Sequence, residues 1–175
     1  MKLSTVLKRG FNSKLVFKFS FLNLYSILIR KPINITLACF VAILIIQFLF
    51  GIINDTFLHI STQNPIDKFS FKEKMIIGVI VAPIIETFIF QYLSFKLIKL
   101  VTKNPIYTIG LASLFFAVNH YYNWFYILVI FFIGIILNYN YYAVQKISKY
   151  AFLLTFLLHA TNNFLALLGS RIKIL

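Results

Sequence analysis

The stretch Ala82-Pro83-Ile84-Ile85-Glu86-Thr87-Phe88-Ile89-Phe90-Gln91 sets one carboxylate inside a long apolar run. The chain has four acidic residues, and the other three, Asp55, Asp67 and Glu73, fall between apolar runs. Crossing a bilayer takes roughly 20 residues, and the run around Glu86 has that length. A carboxylate placed there is costly and marks a functional position by default. The plainer reading is a polar side chain that holds helices together. Pro83 has no N–H to give to the Val79 carbonyl, so a kink is expected there, with a backbone acceptor freed near Glu86.

Composition extends this reading to the whole chain. Its 175 residues are 61% hydrophobic, with a mean hydropathy of +0.89. A soluble domain of this size cannot bury so much apolar surface. The expected fold is an all-α, polytopic membrane bundle of about five transmembrane helices, plus an amino-terminal interfacial helix. The net charge of +13 raises nucleic acid as a partner. The Lys and Arg residues instead sit at the ends of apolar runs, where they meet anionic headgroups and set orientation. No nucleic-acid motif is present, and the lipid bilayer is the partner expected. Cys39, the single cysteine, lies within an apolar run and allows no intrachain disulfide.

Two parts follow. Residues 1–32 form a basic amphipathic segment, broken by Lys18, Ser20, Asn23 and Ser26, that reads as an interfacial helix rather than a span or a cleaved signal. Residues 33–175 form the membrane-embedded helical domain. Its spans are expected at Ile33–Ile53, Met75 to Phe95, Pro105 to Tyr122, Trp124 to Ala143 and Tyr150 to Gly169. Asn104-Pro105 is a helix start signal. Gly78 and Ala82 form a small-xxx-small pair on the side that carries Glu86. Tyr121, Tyr122, Trp124 and Tyr126 read as an interfacial aromatic belt, and Asn138 to Tyr142 as a second. His59 falls in a loop and is assigned no chemistry. The bias of Lys and Arg puts the amino terminus in the cytoplasm and the carboxyl terminus outside.

Three spans each offer one ionisable group: Glu86, His120 and His159. Thr155, His159 and Asn163 recur every four residues and so share a helix face. In a chain otherwise nearly free of buried polar groups, these residues should face one another rather than lipid. Two chemistries suit them. Glu86 acts as general base on a water, aided by His120, with His159 and Asn163 donating to an oxyanion. Alternatively Glu86, His120 and His159 bind zinc, although no HExxH is present.

These residues also carry a resemblance. Pro83 to Gln91 resembles the first motif, EExxxR, of the CPBP family, which includes CAAX prenyl proteases, bacteriocin-processing and Abi proteins. Phe116-Ala117-Val118-Asn119-His120 is similar to its second motif, FxxxH, and His159-Ala160-Thr161-Asn162-Asn163 to its third, HxxxN. The order agrees, over a core at 75–169. The resemblance implies an intramembrane endopeptidase without a cofactor, in which Glu86 and His120 activate water and His159 and Asn163 form the oxyanion hole. Thr87 stands where the family has a second Glu, and Gln91 where it has Arg. Together the two changes remove an ion pair whose loss on one side alone would strand a buried charge. The Thr87 hydroxyl is expected to bond a carbonyl of its own helix.

The leading function is hydrolysis of a peptide bond in a peptide or membrane-associated substrate, in peptide maturation or bacteriocin self-immunity. An inactive scaffold that binds a peptide or membrane partner is the first alternative. A transporter or proton-path component is the second, against which stand the few spans and the lack of a repeat.

Overall fold

The computed structural model describes residues 31–60 and 65–172. The amino-terminal segment expected at the interface lies, up to residue 30, outside the described residues.

Five apolar helices carry the described residues, and no strand occurs among them. Helix α1 (Pro32–Ile53) begins with a proline, which suits a first turn because its missing N–H would be unpaired there anyway. It continues through a wider π turn, Asn54–Leu58. It stops at His59, whose φ of 50° is left-handed and whose N–H bonds the Asn54 carbonyl at 2.8 Å. The His59 backbone therefore ends a helix.

Helix α2 (Phe71–Val101) starts four residues earlier than expected, at a capping box. Ser70 N–H and Oγ both donate to Glu73 Oε2, at 2.8 and 2.7 Å, and Glu73 N–H points back to Ser70 Oγ. The expected kink at Pro83 takes a specific form. A short α segment, Ala82–Glu86, lies between two π segments, Met75–Val81 and Thr87–Leu93. In them the N–H groups reach five residues back, as from Ala82 to the Ile77 carbonyl and from Ser94 to the Ile89 carbonyl. Such wide turns absorb an extra residue and recur at functional sites.

Asn104 caps helix α3 (Pro105–Val118) by accepting from Ile106 N–H at 2.9 Å, as the Asn-Pro signal implies. Asn123 caps helix α4 (Trp124–Val144) in the same way, from Tyr126 N–H at 2.7 Å. Helix α5 (Ala151–Ile172) completes the bundle. Four stretches are long and apolar enough to cross a membrane: Pro32–Leu58, Phe71–Val101, Trp124–Val144 and Ala151–Gly169. The protein is thus an all-α, membrane-spanning bundle, with four long apolar helices among the described residues. The third expected span is shorter than anticipated, because α3 ends at Val118 and the chain turns through Asn119 to Tyr122.

Helix α4 packs against α1, α3 and α5, and α2 closes against α3, α4 and α5. Gly134 permits the α3–α4 contact. A Cβ there would stand 3.0 Å from Phe116 Cδ1 and 3.4 Å from the Ser113 Cα. One turn on, Asn138 Nδ2 donates to Ser113 Oγ at 3.1 Å and to the Gly134 carbonyl at 3.0 Å. Asn140 Nδ2 donates to Thr155 Oγ1 at 2.9 Å, which locks α4 to α5.

These bonds correct two expectations. Asn138 and Asn140 are fully buried, so these two amides are interhelical packing and not part of a surface belt, while Tyr139 between them stays exposed. The interior is also far from free of polar groups. Thr36, Thr87, Gln91, Thr108, Ser113, Thr155 and Asn162 are buried as well. In lipid a polar side chain gains by turning inward to a partner, and that favours burial over the interface.

Candidate active site

Glu86 projects from the short α segment between the two π segments of α2. Its carboxylate lies between two histidines from other parts of the bundle. His120 Nε2 is 3.9 Å from Oε1, and His159 Nε2 is 3.4 Å from Oε2. The three groups expected to meet do meet. Their side chains are 22%, 14% and 5% exposed for Glu86, His120 and His159, so the cluster is enclosed but open to a ligand on the Glu86 side.

Each histidine is oriented by its surroundings. His120 lies just past the end of α3, and its Nδ1 is 2.8 Å from the Phe116 carbonyl. A carbonyl only accepts, so Nδ1 carries the proton and Nε2 presents a lone pair to the Glu86 side in the neutral ring. Phe116 is the common floor, with ring centroids 4.7 Å from His120 and 5.6 Å from His159. Its own place is set by the bare Gly134 on α4.

A spacing of 3.9 Å exceeds hydrogen-bond range and is one that a bridging water can span. Glu86 Oε2 and His159 Nδ1 are buried with no hydrogen-bond partner, so the cluster retains unused polar capacity. Beside it lies a cavity of about 530 Å³. Gly78, Ala82 and Glu86 from α2 line it, with His159, Asn163 and Leu167 from α5 and Ile66 from the loop before α2. The small-xxx-small pair therefore faces this cavity. Gly78 is covered not by a helix but by the tip of Ile66, whose Cδ1 would stand 2.7 Å from an added Cβ.

Asn163, one turn beyond His159, donates from Nδ2 to the Gly78 carbonyl at 2.9 Å. Thr155, His159 and Asn163 thus use one face of α5 to meet Asn140, Glu86 and Gly78 in turn. The donor set does not fit a metal. Among the described residues no group of three or more His, Cys, Asp or Glu side chains is arranged to hold an ion.

Residues 70–165, more than half of the chain, match the family model of the type II CAAX prenyl endopeptidases, described as Rce1-like. The chain belongs to that Rce1-like family. No curated protein and no solved structure gives a significant match.

In this Rce1-like chain the two motif departures, Thr87 and Gln91, are both fully buried. Neither the Thr87 hydroxyl nor either end of the Gln91 amide has a hydrogen-bond partner. The expected bond from Thr87 to its own helix is therefore not formed. Thr36, Thr108 and Ser113 do close onto the carbonyl four residues back, at 3.1, 3.0 and 2.7 Å. All three sit in regular α-helix, whereas Thr87 stands at the junction between the short α segment and the π segment that follows it.

Sequence reading missed several contributors to the cavity, among them Ile66, Tyr122 and Asn162. Tyr122 was read as belt. Its ring packs on His120 with centroids 6.2 Å apart, and burial together with the Glu86 carboxylate holds its phenol above the usual range, so it stays a donor. The available signal was its position two residues after the motif histidine.

Proposed function

We propose that the protein is an intramembrane endopeptidase of the Rce1-like type, acting on a peptide or membrane-associated substrate. One observation carries this reading. The carboxylate of Glu86 lies between His120 and His159 at the wall of a cavity, in a chain of a peptidase family. Glu86 takes a proton from a water held between Oε1 and His120 Nε2. The resulting hydroxide adds to the carbonyl carbon of the substrate. His159 donates to the oxygen that becomes negative. The carbon–nitrogen bond then breaks, and the amine leaves with the proton from Glu86. A partly buried site strengthens each of these interactions relative to water.

The same proposal includes topology. Helix α3 is counted as a fifth, short crossing, since its 14 residues rise about 21 Å. Lys99 Nζ lies 3.4 Å from Gln145 Oε1, which sets the ends of α2 and α4 on one side. With the amino terminus in the cytoplasm, that side is cytoplasmic and the cavity opens outward.

Thr87 and Gln91 favour a second reading, an inactive scaffold that binds a peptide or membrane partner, because buried polar atoms without partners replace a charged pair. The deciding experiment compares the peptides released from membranes that carry the wild-type protein with those that carry Glu86→Gln. Peptides found only with wild type support hydrolysis. Identical peptide sets support the scaffold.

A further inference from the structure

We propose that Asn163 is a positioning residue for Glu86, acting through the Gly78 carbonyl that Pro83 leaves without a donor. The proposal rests on the peptidase reading for its activity arm alone. In a regular α-helix the missing N–H of Pro83 would free the Val79 carbonyl, four residues back. Residues Met75–Val81 are π-helical instead, and there Ala82 N–H bonds Ile77, five residues back. The next bond in that series would run from residue 83 to Gly78. Proline cannot make it.

Asn163 makes it from α5, with Nδ2 2.9 Å from the Gly78 oxygen. Gly78 and Glu86 line the same cavity, and Glu86 lies just past Pro83 on the same helix. A part-buried carbonyl without a donor is costly. Without Asn163 either register leaves one carbonyl without a donor, Gly78 in the wide turn and Val79 in α register, so the wide turn loses its advantage and the segment rewinds into α register. Dropping one residue of register turns the following side chains by roughly 100°, the rotation per residue at 3.6 residues per turn. Glu86 would then leave its place between the two histidines. The amide of Asn163 thus holds the wide turn open and aims the carboxylate.

Pro83→Ala restores the missing N–H, so the test is a double-mutant cycle of Asn163→Ala in the wild-type and Pro83→Ala backgrounds. Two readouts are taken on full-length protein in nanodiscs. One is cleavage of a peptide released in the membrane comparison. The other is the rate at which N,N′-dicyclohexylcarbodiimide, which attacks carboxyl groups in apolar surroundings, modifies Glu86, followed by mass spectrometry.

In the wild-type background Asn163→Ala should change both readouts by about tenfold, within the range of coupled neighbours. In the Pro83→Ala background the same substitution should change each by less than about twofold. Equal effects in both backgrounds overturn the proposal, as does no effect of Asn163→Ala in either. If Pro83→Ala cleaves nothing, the labelling cycle decides. If wild type cleaves nothing, the peptidase reading fails, and the labelling cycle still decides whether Asn163 aims Glu86. Asn163→Leu, close in volume and well tolerated in lipid, replaces Asn163→Ala should the latter not fold.

Discussion

His159 Nε2 stands 3.4 Å from Glu86 Oε2, on the side of the carboxylate away from His120. The carboxylate is therefore addressed from two sides, and replacing it separates charge from shape. Glu86→Gln keeps the size of the side chain and its ability to hydrogen-bond. It removes the capacity to take a proton from water. Cleavage should fall by about 10²–10⁴-fold, the usual contribution of a general base. Thermal stability in detergent should hold or rise, because a costly buried carboxylate is gone. Cleavage at the wild-type rate by folded Glu86→Gln protein would remove Glu86 from the base role.

Chelation tests the other chemistry. The described residues hold no three-donor group arranged for an ion. Peptide hydrolysis should persist in excess EDTA or phenanthroline. Loss of activity with chelator and its return with zinc would instead assign Glu86, His120 and His159 as ligands.

Much of this site could be read from the chain because it is carried by side chains of rare type. Glu86, His120 and His159 stand out in apolar helices, and the four-residue spacing of Thr155, His159 and Asn163 fixes their common face. The backbone was harder to read. Pro83 announces a freed carbonyl, but the π register moves it from Val79 to Gly78, and register is set by packing against α5 rather than by local residues. Asn138 and Asn140 misled for a related reason. Asn and Tyr near a helix end look interfacial until Ser113 and Thr155 appear as partners on other helices. The start of α2 was legible and overlooked, since Ser70 and Glu73 have the spacing of a capping box.

The unpartnered Thr87 hydroxyl gives a stability prediction. Thr87→Val keeps the shape and removes a buried polar group that bonds to nothing. Stability should rise by about 1 kcal/mol, the low end of the penalty for a buried unsatisfied group. Thr108→Val, where the hydroxyl bonds the Asn104 carbonyl, should not show this gain. Equilibrium unfolding of both variants in mixed micelles provides the comparison. A loss at Thr87 equal to that at Thr108 would mean that its hydroxyl has a partner in the bilayer.

Orientation follows from charge. Residues Lys2, Lys8, Arg9, Lys14, Lys18, Arg30 and Lys31 precede the first long apolar helix with no acidic residue among them. A cysteine placed at Lys2 should be shielded from an impermeant maleimide in intact cells, and one placed at Lys173 should react. Reaction of both would require an even number of crossings, and shielding of both would in addition turn the cavity toward the cytoplasm.

Gly78→Ala separates the wall of the cavity from its chemistry. The new Cβ would stand 2.7 Å from Ile66 Cδ1, the tip of a side chain that can swing away. Replacing Gly by Ala inside a helix gains about 0.5–1 kcal/mol, which offsets the cost of moving Ile66. Net stability should therefore change by less than about 1 kcal/mol. The Gly78 carbonyl stays, so the bond from Asn163 and the aim of Glu86 stay with it. Ile66 lines the cavity, and its displacement alters the surface that a substrate side chain would meet. KM should rise by about tenfold, the low end of what one methylene is worth in an apolar pocket, while kcat holds. A fall in kcat with KM unchanged would show that the methyl disturbs the turn beneath Glu86 rather than the wall above it.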